Sequence, residues 1–465
     1  MIRLLVWAAL CAGAGLANGR ELIPDAVIES VRSHYPPLLA ALLDQDIADA
    51  DLLSSKGRFD PVLRARTDSD SFGFYSNQRA DVWMEQPLAW QGMSLQSGYR
   101  LSSGDLAPYD GKFGTRSLGE FRTGMRMPLF RDRTVDSRRA ELGKARAGQR
   151  IARLSVDQQR LVVVSAALLR YWLWVAAGQR LAVTRDVLRA AESRHLLLEE
   201  GVRQGQLPAI EAVDNQRAIL QRRSALVEAE RAFQQAAIEL SLFLRDGNGT
   251  PRIPSVGEVP ARFPEPGSKP GAFLAGAERQ AIEQRPEIAR VDALADQAAI
   301  DLRMARNAAK PAVDLTAGFT AEGGSNPAVR RGPQELRAGV AFEFPWRNRV
   351  ARGREAAASA RLKQIQTRSE FARDQITAEV RDATVWIETA IERVRLLADE
   401  VRVSRDLEAA ERARFEIGEG TLFILNLREQ ATLDAAIREA LAQADYQRAI
   451  VAHESATGEL LLRIR

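Results

Sequence analysis

Along this chain the apolar positions change their spacing in a repeated order. An apolar-periodic stretch opens at Tyr35-Pro36-Pro37-Leu38 and ends before Pro61. Another opens at Arg285-Pro286-Glu287-Ile288 and ends before Pro311; in both, the closing proline stands 25 positions after the opening one. Proline suits the first turn of a helix, where its missing N–H costs nothing, and it ends a helix that runs into it. The period then switches to two. Val313, Leu315, Ala317 and Phe319 alternate with Asp314, Thr316, Gly318 and Thr320; Leu336, Ala338, Val340 and Phe342 alternate with Arg337, Gly339, Ala341 and Glu343. This predicts two strands joined by a turn-rich segment. The first half has matching segments at Val62 to Asp68 and Phe121 to Met127, with further alternating stretches near Asp81 to Pro87 and Ser94 to Ser102. We read the extra stretch as lengthening the first hairpin, over 60–128 against 311–345 in the second half. A flap or additional strands fit the same pattern.

Each strand region ends in proline and leads into a long helical pattern. No proline stands between Pro128 and Pro208, and neither Gly nor Pro stands between Gly353 and Gly418. A helix of 70 residues would be about 105 Å long, far more than a globular core needs. Ile376, Val380, Ala383, Ile387, Ala390, Val394, Leu397 and Val401 step by fours and threes, and Leu154, Leu161, Leu168, Val175 and Ala182 step by seven. Such spacing puts one narrow apolar stripe on a helix, which packs as a coiled coil. Each long helix meets a glycine-bearing turn, Gly201 to Pro208 or Gly418 to Thr421, and then reverses. Glycine supplies the left-handed backbone that ends a helix, and Thr421 can cap the next one. The chain therefore reads as a duplication: a first repeat over 20–245, a Pro/Gly-rich linker over 246–275 and a second repeat over 276–465.

Composition narrows the function. Apolar residues make up 46% of the 465, which is globular, and charged residues 27%. The 65 basic residues are interleaved with 61 acidic ones, so the weak net charge of +4 gives no reason to expect a nucleic-acid partner. Residues 1–19 have the order of a secretory signal: Arg3, an apolar run from Leu4 to Ala14, then small residues. Cys11 is the only cysteine and falls within that stretch, which leaves no thiol or disulfide chemistry in the remainder. No later segment has 18 consecutive apolar residues. The three histidines are scattered, no phosphate-binding loop occurs, and Gly418-Glu419-Gly420 lacks the leading strand of a dinucleotide fingerprint. We expect no enzyme, no metal and no cofactor.

The paired prolines, strand pairs, long helices and glycine turns, in that order and duplicated, resemble the TolC-like outer-membrane efflux family. The resemblance covers nearly the whole chain after the signal, with the segment around Gly418 closer to the family's tip motif than that around Gly205. It implies a mainly α fold with membrane β: an internally duplicated protomer of a homotrimer. Each protomer would give four strands to a shared twelve-stranded outer-membrane β-barrel and its helices to a periplasmic α-barrel. The linker would lie at the mid-barrel. The implied role is a passive exit duct in a tripartite efflux or type I secretion system, opened by a periplasmic adaptor (membrane fusion protein) and an inner-membrane pump. Physics agrees in part, because open sheet edges are not tolerated in lipid and two hairpins cannot close a barrel alone. A soluble periplasmic coiled-coil scaffold or adaptor is the alternative.

On that resemblance Gly205, Leu207, Pro208, Gly418, Gly420 and Thr421 are candidates for contacting the adaptor, although helix reversal alone explains them too. Arg203, Glu211 and Asp214 flank one turn, and Arg414, Glu416, Glu419, Arg428 and Glu429 the other. These charges are candidates for the periplasmic gate. For any single one, a solvated helix face accounts for the charge as well. Trp83, Trp90, Phe121, Phe342 and Trp346 would suit an aromatic girdle at the membrane surface.

Overall fold

The computed structural model describes residues 21–73, 75–105, 114–265, 276–327, 329 and 332–464. The signal-like stretch and the last part of the linker, 266–275, lie outside them. The helices are α1 (Pro24–His34), α2 (Pro36–Gly57), α3 (Ser137–Arg203), α4 (Ala209–Ser241), α5 (Ala277–Gln284), α6 (Pro286–Ala308), α7 (Arg349–Glu416), α8 (Leu422–Thr457) and α9 (Glu459–Ile464). The strands are β1 (Val62–Asp70), β2 (Asn77–Pro87), β3 (Ser94–Gly104), β4 (Glu120–Pro128), β5 (Ala312–Glu322) and β6 (Gln334–Glu343). Pro36 and Pro286 open helices, and Pro61 and Pro311 each stand one residue before a strand. Two compact units emerge, and each draws on both repeats.

One unit comprises Met1–Leu39, Gln159–Arg285 and Ile376–Arg465. Its core gathers Val27, Val31 and Leu38 with Leu161, Leu168, Trp174 and Val175 of α3, Phe233 and Leu240 of α4, and Leu460 and Ile464 of α9. The buried Tyr171 hydroxyl donates to the Leu22 carbonyl at 2.7 Å, and burial pushes its pKa well above the ordinary phenol range. α3 contains an 18-residue window apolar enough to cross a membrane, but 61% of that window is buried. The α7 stripe packs as expected, with Ile387, Ala390, Ile391 and Val394 against Ala442, Tyr446 and Ala449 of α8. The α3 stripe needs a correction. Leu161, Leu168 and Val175 are buried as expected and Leu154 is half-buried, but Ala182 at the end of the stripe is exposed, and Leu181 and Leu188 are buried there instead. A strict seven-residue step drifts about 20° per heptad around a 3.6-residue helix, so a stripe sustained over four heptads changes face.

The other unit, Ala40–Gln158 and Pro286–Gln375, carries the sheet. Its strands pair antiparallel in sequence order from β1 to β6. The expectation of four strands is corrected to six: the stretch read as lengthening the first hairpin forms β2 and β3. Each of these strands pairs on both sides, with each other along their whole length. β2 pairs with β1 from Val62↔Glu85 to Asp70↔Asn77, and β3 pairs with β4 from Ser94↔Arg126 to Arg100↔Glu120. The β2–β3 turn holds Gly92 at φ +70, where an added Cβ would come within 2.4 Å of the Asp132 carbonyl oxygen. Two asparagines brace the segments that connect strands and helices. Asn307 Nδ2 donates to the Asp132 carboxylate at 2.8 Å, and Asn348 Nδ2 donates to the Ala309 carbonyl at 2.9 Å.

The register gives the sheet two unlike faces, because successive residues of a strand point to opposite sides. Leu63, Met84, Phe319 and Leu336 share one face, as do Val82, Tyr99 and Phe121. All seven are exposed, Leu336 to 80%. The opposite face is polar. Asp81, nearly buried there, receives hydrogen bonds from Arg79 and Arg100 at 2.7 Å and from Arg122 at 3.0 Å. Arg126 reaches Asp314 at 2.5 Å on the same face. Trp83 also lies on the polar face, next to Gly98, so its assignment to an outward girdle is corrected. Trp90, Phe121, Phe342 and Trp346 are exposed.

Candidate functional site at the helix turns

Both turns lie in the first-described unit, and they are built alike. α3 ends at Arg203, and the Gly201 carbonyl accepts from the N–H groups of Gln206 and Leu207 at 2.9 and 3.3 Å. α7 ends at Glu416, and the Arg414 carbonyl accepts from Glu419 and Gly420 at 2.9 and 3.0 Å. In each case one carbonyl takes two donors, five and six residues on. The residue four positions on is glycine with positive φ, +71 at Gly205 and +79 at Gly418. This closure satisfies carbonyls that a helix end leaves orphaned. Pro208 and Thr421 then precede α4 and α8, and Thr421 Oγ1 accepts from the Ile424 N–H at 3.4 Å. Leu207 folds over Gly201, where a Cβ would meet its Cδ1 at 2.8 Å. Gly420 sits tightly against the backbone nitrogen of Phe415, 2.9 Å from where its own Cβ would be.

The charges around the turns fall into two groups. Arg203 pairs with Glu200, three residues earlier on the same exposed helix face. Asp214 pairs with Arg217 at 3.0 Å and accepts from Asn426 Nδ2 at 3.4 Å. Arg414 lies 3.5 Å from Glu411 and donates to the Glu419 carbonyl at 3.4 Å. Glu211 stands in the first turn of α4, where the helix dipole favours an acid. Glu416 and Glu419 lie at the turn itself, exposed, and Arg428 is half-buried on α8.

Glu429 differs from all of these. It is 3% exposed and holds three arginines from three other helices. Arg222 of α4, 4% exposed, reaches it at 2.8 Å; Arg194 of α3 forms a short ion pair with it; Arg412 of α7 lies at 3.5 Å. Arg194 also donates to Asn426 at 3.1 Å. One buried carboxylate thus ties α8 to α3, α4 and α7. Burial of ions is expensive, and the pairing offsets that cost only while all partners stay in place. The structure brings Glu429, Asp214 and Asn426 into one network and leaves Arg203 outside it.

Arg194, Arg222, Arg412 and Asn426 were not among the residues singled out from the sequence. A signal existed for Arg222. The buried positions of α4 run Asn215, Ile219, Arg222, Ala229 and Phe233, so an amide and a guanidinium occupy an otherwise apolar stripe. Asn215 Nδ2 donates to the Ala191 carbonyl at 3.1 Å. Polar residues in a heptad seam fix register and partners at some cost in stability. Among the described residues no group of three or more His, Cys, Asp or Glu is arranged to hold a metal ion.

No family model matches the sequence, and no curated protein matches it significantly. Solved structures do match its fold. The CmeC outer membrane channel of Campylobacter jejuni is 15% identical with a TM-score of 0.64, covering 94% of this chain and 85% of that one. The outer membrane protein VceC of Vibrio cholerae is 14% identical with a TM-score of 0.63, covering 94% and 96%. The MtrE outer membrane channel of Neisseria gonorrhoeae, solved in its open state, is 16% identical with a TM-score of 0.63, covering 94% and 88%. Over nearly its whole length, then, this chain has the fold of the TolC-like outer-membrane channels.

Proposed function

We infer that this protein is the outer-membrane exit duct of an efflux or type I secretion system, a passive conduit without chemistry of its own. The observation that carries the reading is the two-faced sheet. A soluble scaffold would not expose Leu63, Tyr99, Phe319, Leu336 and Phe342 together on one face. A lipid-facing barrel wall requires it. The strands have 9 to 11 residues, the length that crosses a tilted β-barrel wall. β1 and β6 each pair on one side only, so the wall must be completed by further copies.

In this reading three copies close the barrel and their helices form a periplasmic duct. The two glycine turns form the end that an adaptor and an inner-membrane pump engage, and the Glu429 network helps hold that end shut. The first test is fractionation. The full chain should appear in outer membranes, require detergent for release, and give a protein mass of three protomers by light scattering. A monomer or dimer released without detergent would overturn the channel and favour the scaffold. For the gate, Glu429→Gln should raise single-channel conductance in planar bilayers; unchanged conductance with the trimer intact would remove Glu429 from it.

A further inference from the structure

The β2–β3 hairpin bears on the width of the outlet. Two hairpins, one per repeat, would need only β1, β4, β5 and β6. The added pair lies between β1 and β4 and is paired with both, β2 with β1 over 77–85 and β3 with β4 over 94–100. An insertion that folded into the pore or over its mouth would be polar on both faces. β2 and β3 instead carry the alternation of the rest of the sheet. Val82, Met84 and Tyr99 are exposed on the apolar face, while Arg79, Asp81 and Arg100 interlock on the polar one. The hairpin is therefore built as wall. Strand direction is consistent with this. Six strands alternate in direction, so β6 of one copy meets β1 of the next antiparallel, and closure brings no mismatched seam.

Resting on the trimeric reading above, we propose that three copies close an eighteen-stranded barrel by joining the β1 edge of each copy to the β6 edge of the next. Barrel diameter grows roughly in proportion to strand number, so this outlet has about 1.5 times the circumference of a twelve-stranded one. It falls in the size range of barrels that leave an open aqueous channel. Its wall on the polar side is lined by arginines locked to carboxylates, a surface suited to bulky hydrophilic cargo.

The test is a distance. Ala338 lies on the exposed face of β6, and Cys11 is the only native cysteine. A spin label at Ala338→Cys, in a Cys11→Ser background, reads the separation of equivalent sites around the three-fold axis. With strands about 4.8 Å apart and tilted by about 40°, an eighteen-stranded trimer gives roughly 30–35 Å and a twelve-stranded one roughly 20–25 Å. Deleting residues 77–104 removes two whole strands and leaves β1 antiparallel to β4, so the label distance should fall about 1.5-fold while the mass stays trimeric. A trimeric wild type at the shorter distance would overturn the eighteen-stranded barrel and leave the trimer standing. A particle that is not trimeric would overturn the trimeric reading itself, and the strand number with it.

Discussion

Glu429 concentrates the electrostatics of the helix turns in one side chain. Two of its arginines are largely buried, so Glu429→Gln leaves them without a counter-charge. We expect a loss of about 3 kcal/mol, read by thermal or denaturant unfolding in detergent. Arg222→Ala should be strongly non-additive with it, because both changes break one network. Arg203→Ala removes only an exposed pair within one helix and should shift stability by less than about 0.5 kcal/mol. Glu439 is a separate case. Partial burial raises its pKa above the ordinary carboxylate range, against a smaller opposing pull from Arg405. A raised carboxyl favours the folded state at low pH, and that contribution is lost as pH rises through the folded pKa. Glu439→Gln should therefore stabilise at neutral pH by a few tenths of a kcal/mol, about the scale of a half-exposed charge. The gain should vanish in melts below the ordinary glutamate range, where both residues are neutral.

At the scale of elements, the two turns test whether backbone or side chain sets their shape. Gly205 and Gly418 are left-handed and have open space around their Cα atoms. Alanine at either should cost about 1 kcal/mol, the price of that backbone region for an L-residue. Gly420 does not have positive φ, yet a methyl there would press on the Phe415 nitrogen. Gly420→Ala should cost more than Gly418→Ala in the same unfolding assay, because backbone, not a flexible side chain, must move. An equal or smaller cost would mean that the α7–α8 turn opens easily. The matched hydrogen bonds at Gly201 and Arg414 also carry the duplication down to single carbonyls, beyond the shared order of elements.

For the whole molecule the decisive property is the asymmetry of the sheet. Leu336, on the edge strand β6, lies on the exposed apolar face, and Arg337 beside it faces the polar side. If the apolar face meets lipid, Leu336→Arg places a charge on the lipid side, at a cost that rises with depth to about 2–4 kcal/mol at the bilayer midplane. Assembly into outer membranes should drop sharply, measured as detergent-extractable trimer. Arg337→Ala, one residue on, should leave assembly unchanged. Equal behaviour of the two variants would contradict a lipid-facing sheet.

Periodicity alone determined much of this protein. The prolines at 36, 61, 286 and 311, the switch to period two and the long seam from Ile376 to Val401 depend on neighbours in the chain, and local sequence encodes those directly. Gly205, Gly418 and Thr421 were legible for the same reason, since a left-handed turn or a helix cap restricts residue type on the spot. Tertiary structure decided what depends on partners far away in sequence. Whether the alternating residues 81–102 lengthen a hairpin or add strands turns on which edges they pair with, and alternation is the same in either case. Trp83 faces the polar side because register, not residue type, fixes its face. Glu429 could be singled out as a charge near a turn. That it is buried, and that Arg194, Arg222 and Arg412 converge on it, follows only from four helices brought together, because a charge's worth is set by its burial and its partners.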